Sequence, residues 1–489
     1  MKLDLASLKE NLVEWMRLGV ALPAFDVDAV RTETAKSPEW VHFGAGNIFR
    51  GFIGSLNQRL LERGFAKTGI VACDTFDHEV IDRIYGEHDS LTLMRRTDGT
   101  LLPVVEADMK EGPEASRHAM AIVAALLLER FHAGKLPMAV VSMDNCSHNG
   151  EKLKASVVEM ATAWVSNGLA PQAYLDYLTD ESVVSFPWSM IDKITPRPHP
   201  MVEEQLAAAG IEGMAPIVTS KKTFIAPFVN AEKPQYLVVE DRFPNGRPAL
   251  EKAGVYMTDR ETVNNTEKMK VTTCLNPLHT AMSMYGCLLG YTLICKEMQD
   301  ADIVRLVKRL GYVEGLPVVV DPKILSPKAF IDEVVNERLP NVFMPDDPRR
   351  IATDTSQKVG IRFGETVKSY LATGRDLNEL VSIPLAIAGW MRYLLAVNDA
   401  GEAMEVSTDP LKDELQAKLS GIVWNDPSSY KGQLRPILAN ASIFGTDLTA
   451  TPLADRIEGY FLKLLAGPGS ARALLRSELA ESAQCPHCG

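Results

Sequence analysis

The chain has 489 residues and carries 51 Lys and Arg against 63 Asp and Glu, a formal charge of −12. Apolar residues make up 46% and charged residues 23%, the balance of a globular protein with room for two or three domains, which excludes a disordered or collagen-like chain. The acidic surplus lacks the basic footprint that a nucleic-acid partner requires.

In chain order, residues 5–16 predict one amphipathic helix, followed by a Pro-containing connector, and acidic residues stand where a signal peptide keeps an apolar core. The first strand signal is Trp40-Val41-His42-Phe43, which runs into Gly44-Ala45-Gly46. A helical pattern over 49–62 follows and Gly64 closes it. A second strand over 69–73 ends at Asp74, so the order is strand, glycine turn, helix, strand: a βαβ unit. Segments 91–95 and 101–105 flank Thr97-Asp98-Gly99-Thr100 and predict a β-hairpin. A helix over 115–130 and a buried strand over 138–142 come next, the strand ending at Asp144-Asn145. Alternation of strand and helix persists to about Asp259, and beyond Asn264 the pattern is mainly helical. The expected domains are therefore 1–265, α/β with an N-terminal extension, and 266–489, mainly α.

The longest uninterrupted apolar run, 119–128, is too short for a bilayer, which takes about 20 residues. The stretch 380–395 is longer but contains Ser382, Pro384, Gly389 and Arg392, and predicts a buried or amphipathic helix. These readings predict a cytoplasmic protein without a membrane partner. Seven cysteines form no disulfide framework in a chain of this size. Cys485-Pro486-His487-Cys488 offers three zinc ligands at most where four are needed, so no metal is expected.

Four constellations carry chemistry. Gly44-x-Gly46 between strand and helix suits a dinucleotide pyrophosphate, because small residues admit the phosphates and a helix start supplies unpaired N–H groups. Asp74 at the end of the second strand suits the adenosine ribose and favours NAD over NADP. Asp144-Asn145-Cys146-Ser147-His148-Asn149-Gly150 follows a strand, where sites in open α/β sheets lie, and Asn145 is placed to stabilise an alkoxide. Asp192 and Lys193 fall inside the apolar run 186–196, which as structure alone would be a buried ion pair. Finally, Asn276 before Pro277 reads as a helix N-cap, with His279 one turn on. A helix N-terminus holds that His neutral, and Lys270 just upstream is a general base if its pKa is depressed. A purely structural reading of this cluster, with solvated lysines, competes.

Together these segments resemble the long-chain polyol dehydrogenase family, which includes the mannitol dehydrogenases and the hexuronate reductases. The resemblance spans roughly 38–400. It rests on the turn from His42 to Arg50, the Asp144–Gly150 loop, Phe186-Pro187 to Pro196, Glu240-Asp241 to Pro244, and Arg350-Ile351-Ala352-Thr353-Asp354-Thr355-Ser356-Gln357-Lys358. It implies a Rossmann-type NAD-binding domain, a helical substrate domain and an active site in the cleft between them. It also implies metal-independent reduction of a keto-sugar by NADH. Carried over by position, Lys270 is the base, Asn145 and Asn276 form an oxyanion hole, and His279 orients the substrate. Asp192, Arg350 and Lys358 line the sugar site, while Gly44, Gly46, Asn47 and Asp74 hold the cofactor. The family spaces its lysine five residues before the asparagine. Here Lys270 precedes Asn276 by six, so either a one-residue bulge intervenes or Lys268 takes the role. Thr355 also stands where the family has glycine.

The substrate expected is a hexuronate, D-fructuronate giving D-mannonate, because Arg350, Lys358 and Arg362 are available to a carboxylate. The alternatives are mannitol–fructose interconversion, tagaturonate reduction, and an NAD-binding protein without turnover.

Overall fold

The computed structural model describes residues 1–75, 77–90, 105–195, 197–344 and 346–480. The chain divides into two compact units, Met1–Asn264 and Asn265–Gly489. The predicted hairpin and the Cys485–Cys488 segment lie outside the described residues, except for Val105, which begins the helix Val105–Glu111.

In the first unit Trp40–Phe43 pairs in parallel with Ile70–Cys73, Trp40 opposite Ile70 and Phe43 opposite Cys73. The crossover is helical, Phe49–Ile53 running into Gly54–Glu62, so the βαβ unit forms as expected. Its buried face, with Phe49, Phe52, Ile53, Leu56 and Leu60, packs on Ile191, Leu237 and Val239. These last three belong to a sheet in which Tyr236–Glu240 lies between antiparallel Ser189–Asp192 and parallel Tyr256–Thr258. The strand expected over 138–142 forms a ladder only over Met138–Ala139, parallel to Val184–Ser185. Its core partners include Ala124, Leu127 and Leu128 of the helix Ala119–His132 and Trp164 of the helix Asn149–Ser166.

Two expectations at the N-terminus give way. The single helix over 5–16 is two, Leu5–Glu10 and Leu12–Arg17. They part at Asn11, whose backbone leaves the helical region at φ −113° and ψ +29°, while its N–H still donates to the Ser7 carbonyl at 2.9 Å and its Nδ2 joins at 3.3 Å. The connector after them contains a helix, Val27–Lys36, capped by Asp26, which accepts from Ala29 N at 3.0 Å.

Among the described residues of the second unit no strand forms, only the isolated bridges Val397–Ala403 and Val423–Asp426. Helices Asn276–Leu288, Ser382–Tyr393 and Leu453–Leu464 pack in sequence on one another at its centre. Every residue of Ser382–Tyr393 is buried. Gly389 permits the close approach, since a Cβ there would lie 3.0 Å from the Tyr285 ring. The orphan N–H groups that begin this helix are met by buried Glu314, which accepts from Val381, Ser382 and Ile383 at 2.6–3.1 Å. Among the described residues, no helix is long and apolar enough to cross a membrane.

Candidate active site

The glycine turn of the first unit is held from three sides. Gly44 adopts φ +106°, open to glycine alone, and donates to the Cys73 carbonyl at 2.7 Å. Asp74 accepts from Ala45 N at 3.3 Å and from Asp77 N at 2.7 Å, while the Tyr85 hydroxyl donates to the Ala45 carbonyl at 2.7 Å. Arg50, buried, donates to Asn47 Oδ1 at 2.6 Å and to the Ala226 carbonyl at 2.8 Å. A Cβ at Gly44 or Gly46 would meet no atom within 4 Å. The turn thus leaves space beside its backbone, as a pyrophosphate needs.

The loop carrying Asn145 is organised by Asn149, for which the sequence suggested no role. Asn149 Nδ2 donates to Ser142 O (3.3 Å), Asp144 O (2.9 Å) and Ser189 Oγ (2.9 Å), and its Oδ1 accepts from Ser189 N (3.0 Å). One buried carboxamide therefore ties the 142–149 loop to the strand Ser189–Asp192. Gly150 completes the junction, for a Cβ there would sit 2.6 Å from Trp188 Cδ1 and 2.8 Å from the Phe186 carbonyl. His148 adopts φ +55° and stacks on Trp188 at 4.6 Å, a structural duty. Asn145 itself is exposed. Asp192 is buried opposite Tyr236, and Lys193 donates to Gln235 Oε1 at 2.8 Å.

In the second unit the six-residue spacing has a physical solution. The helix Arg260–Met269 widens into a π-type turn over Lys270–Cys274, closed by a bond from Leu275 N to the Lys270 carbonyl at 3.1 Å. A bond spanning five residues instead of four accommodates one extra residue. Lys270 is 2% exposed, whereas the Lys268 side chain is 46% exposed and lies 4.0 Å from Glu365. The next helix begins one residue earlier than expected. Leu275 occupies the cap and Asn276 the first helical position, so the Asn276 carboxamide does not cap.

His279 is neutral, but for a different reason from the one the sequence suggested. Burial dominates, Arg350, Arg362 and Arg338 add to it, Asp346 opposes it, and the pKa falls to about 4. His279 Nε2 lies 3.5 Å from Asp346, which also receives Arg350 Nε and Nη2, each at 2.6 Å. Asp346 is thus a shared partner that the sequence reading passed over. The acidic pair just before Arg350's helix was its only signal.

Arg362 donates to Thr280 Oγ1, which in turn donates to the Asn276 carbonyl at 2.9 Å. Lys358 donates to the Thr353 carbonyl, and burial together with neighbouring Arg362 lowers its pKa to about 8. Thr355 needs no glycine freedom, because the left-handed position, φ +52°, falls on Asp354. The structure therefore gathers His279, Arg350, Lys358 and Arg362 near the start of one helix, with Lys270 on the turn before it. Among the described residues no cluster of three or more His, Cys, Asp or Glu is arranged to hold a metal ion.

Residues 80–252 match the family described as mannitol dehydrogenase Rossmann domain and 262–462 the mannitol dehydrogenase C-terminal domain. The chain is 45% identical to a D-mannonate oxidoreductase of Thermotoga maritima over 97% of its own length and 98% of that protein's. It is 31% identical to a mannitol 2-dehydrogenase of Phaeosphaeria nodorum over 71% of this chain and 55% of that one. The fold matches Pseudomonas fluorescens mannitol 2-dehydrogenase, solved with NAD and D-mannitol, at a TM-score of 0.70, 22% identity and coverage of 99% and 100%. Near-complete alignment to one relative and two matching domains in the right order leave one conclusion: the chain belongs to the mannitol dehydrogenase family.

Proposed function

We propose that the chain is an NAD-dependent oxidoreductase that interconverts D-fructuronate and D-mannonate. The observation that carries the reading is a cluster of cations in the second unit. Arg350 and Arg362 both depress the titration of His279 and of Lys358. While Arg350 is paired with Asp346, Lys358 and Arg362 donate, among the described residues, only to neutral oxygens, a positive charge that an uncharged polyol leaves unmatched. The 45% identity to a D-mannonate oxidoreductase supports it. The glycine turn fits the dinucleotide through the open space beside Gly44 and Gly46, with Asn47 and Asp74 flanking it.

When bound, NADH supplies the hydride. Lys270 as ammonium gives its proton to the forming alkoxide, and its 2% exposure keeps bulk water from that transfer. Asn276 and, by the family resemblance, Asn145 are the carboxamides we assign to stabilising the alkoxide. Neutral His279, held by Asp346, hydrogen-bonds a substrate hydroxyl. Asp192 accepts from another hydroxyl, and Arg350 and Lys358 line the sugar site. The substrate is a small sugar acid, and the scattered free cysteines suit a reducing compartment, the cytoplasm.

The test is NADH oxidation with D-fructuronate, D-tagaturonate and D-fructose. Fastest turnover of D-fructuronate is expected. Faster turnover of D-fructose would replace the uronate reading with a mannitol–fructose activity.

A further inference from the structure

The three cations near His279 are not equivalent. Arg350 is committed, its fork filled by both oxygens of Asp346 at 2.6 Å. Lys358 has a backbone carbonyl for a partner and an arginine for a neighbour. Arg362 is the least satisfied of the three. Among the described residues the one hydrogen bond of its side chain goes to the neutral Thr280 hydroxyl, and no carboxylate offsets its partial burial, which lowers its pKa to about 10.

Its backbone is fixed as well. Arg362 is the middle residue of the wide turn Gly360–Gly364, and its N–H donates to the Lys358 carbonyl at 2.9 Å. A Cβ at Gly360 would lie 2.7 Å from the Ile443 carbonyl, and one at Gly364 would lie 1.9 Å from the Phe444 carbonyl. The two glycines press this turn onto the 443–445 backbone. The turn also packs on Lys270–Cys274 and on the helix Asn276–Leu288. The Thr280 bond then ties the guanidinium to the helical turn that carries Asn276 and His279. A guanidinium held this way beside the reaction machinery, with donors to spare, is a preorganised anion receptor.

We infer that Arg362 is the specificity-determining residue for a carboxylate-bearing substrate: its guanidinium, with Lys358 beside it, receives the carboxylate at the end of the sugar chain opposite the reacting carbonyl. Arg350 serves instead to fix Asp346 and through it His279. The inference rests on the uronate reading above and assigns that selectivity to one side chain. It requires no covalent or redox step beyond the reaction already described.

The experiment uses the full chain with Arg362→Gln, which keeps a donor for Thr280, and Arg362→Lys, which keeps the charge. Each is assayed with D-fructuronate and with D-fructose. D-mannonate and D-mannitol are titrated into the enzyme with NAD present, and NADH affinity reports folding. Arg362→Gln is expected to lower kcat/KM for D-fructuronate by about 30-fold or more, mostly through KM, and to weaken D-mannonate binding similarly. NADH affinity and whatever D-fructose turnover or D-mannitol binding the wild type has are expected to change less than about 2-fold, and Arg362→Lys to fall between. Equal losses for charged and uncharged sugars, or none for D-fructuronate, would overturn the inference while leaving the uronate activity standing. A wild type that turns over D-fructose but not D-fructuronate would overturn both.

Discussion

A Cβ placed on Gly44 or Gly46 meets nothing within 4 Å, whereas one on Gly364 meets the Phe444 carbonyl at 1.9 Å. The first turn keeps space for something that arrives, and the second turn fills all the space it has to hold a side chain in place. One half of the proposed chemistry is backbone geometry and the other is side-chain convergence. The contrast explains why one motif is a short string of residues, while the other is spread over 270, 276, 279, 346, 350, 358 and 362.

The largest expected effect tests the convergent half. Lys270→Ala should lower kcat by about 10²–10⁴-fold, the usual worth of a positioned general acid, with NADH affinity unchanged. Lys268→Ala, at an exposed position, should stay within about 2-fold of wild type. Stopped-flow and steady-state assays on both variants decide it, and a crippled Lys268→Ala would reverse the assignment.

The two kinds of glycine offer the next test. Gly364→Ala should cost about 2–4 kcal/mol in denaturant unfolding because backbone, not a flexible side chain, stands in the way. Gly46→Ala should leave stability within about 0.5 kcal/mol, yet weaken NADH roughly tenfold, about 1.4 kcal/mol, if the phosphates use that space. Equal destabilisation by both would erase the distinction.

A smaller loss is expected at Asn149. Its carboxamide makes four hydrogen bonds, two to loop carbonyls and two to Ser189 of the strand, and Asn149→Ala should cost about 1–3 kcal/mol by leaving buried groups unpaired. Chemical denaturation measures this, and a neutral result would show that the loop holds without its tie.

The smallest effect is in the pH profile. Lys358 is charged below its lowered pKa of about 8 and neutral above it. KM for a carboxylated substrate should therefore rise a few-fold as pH climbs through about 8, while KM for an uncharged ketose stays level. Lys358→Met should flatten the profile at the higher KM. A rise shared by both substrates would trace it to another group.

How much of this was legible in the sequence follows the same division. Strand, glycine turn, helix and strand at 40–74 were readable because periodicity and glycine placement are local demands. The strand at 138–142 was overread, since an apolar run does not say how far a ladder extends. The helix break at Asn11 was missed because the amphipathic period runs on across a residue whose backbone alone leaves the helical region, at φ −113°. In the second unit Lys270, Asn276 and His279 were visible as a string. Asp346 was not, because its importance lies in touching His279, 67 positions away, and Arg350 at once. His279 was expected to be neutral, but burial by tertiary packing, which no local pattern encodes, proves the main cause.

The wide turn at Lys270–Cys274 has a consequence for how such a chain tolerates change in length. In an uninterrupted α-helix one inserted residue would swing everything after it by about 100° around the axis. Here the surplus is absorbed between the amine and the amide, so Asn276 and His279 keep their direction while the helix before them grows by one. Shortening the segment by a single residue at Val271 would restore an ordinary coil of helix, making this stretch a natural splice point where register is adjusted without redrawing the site downstream.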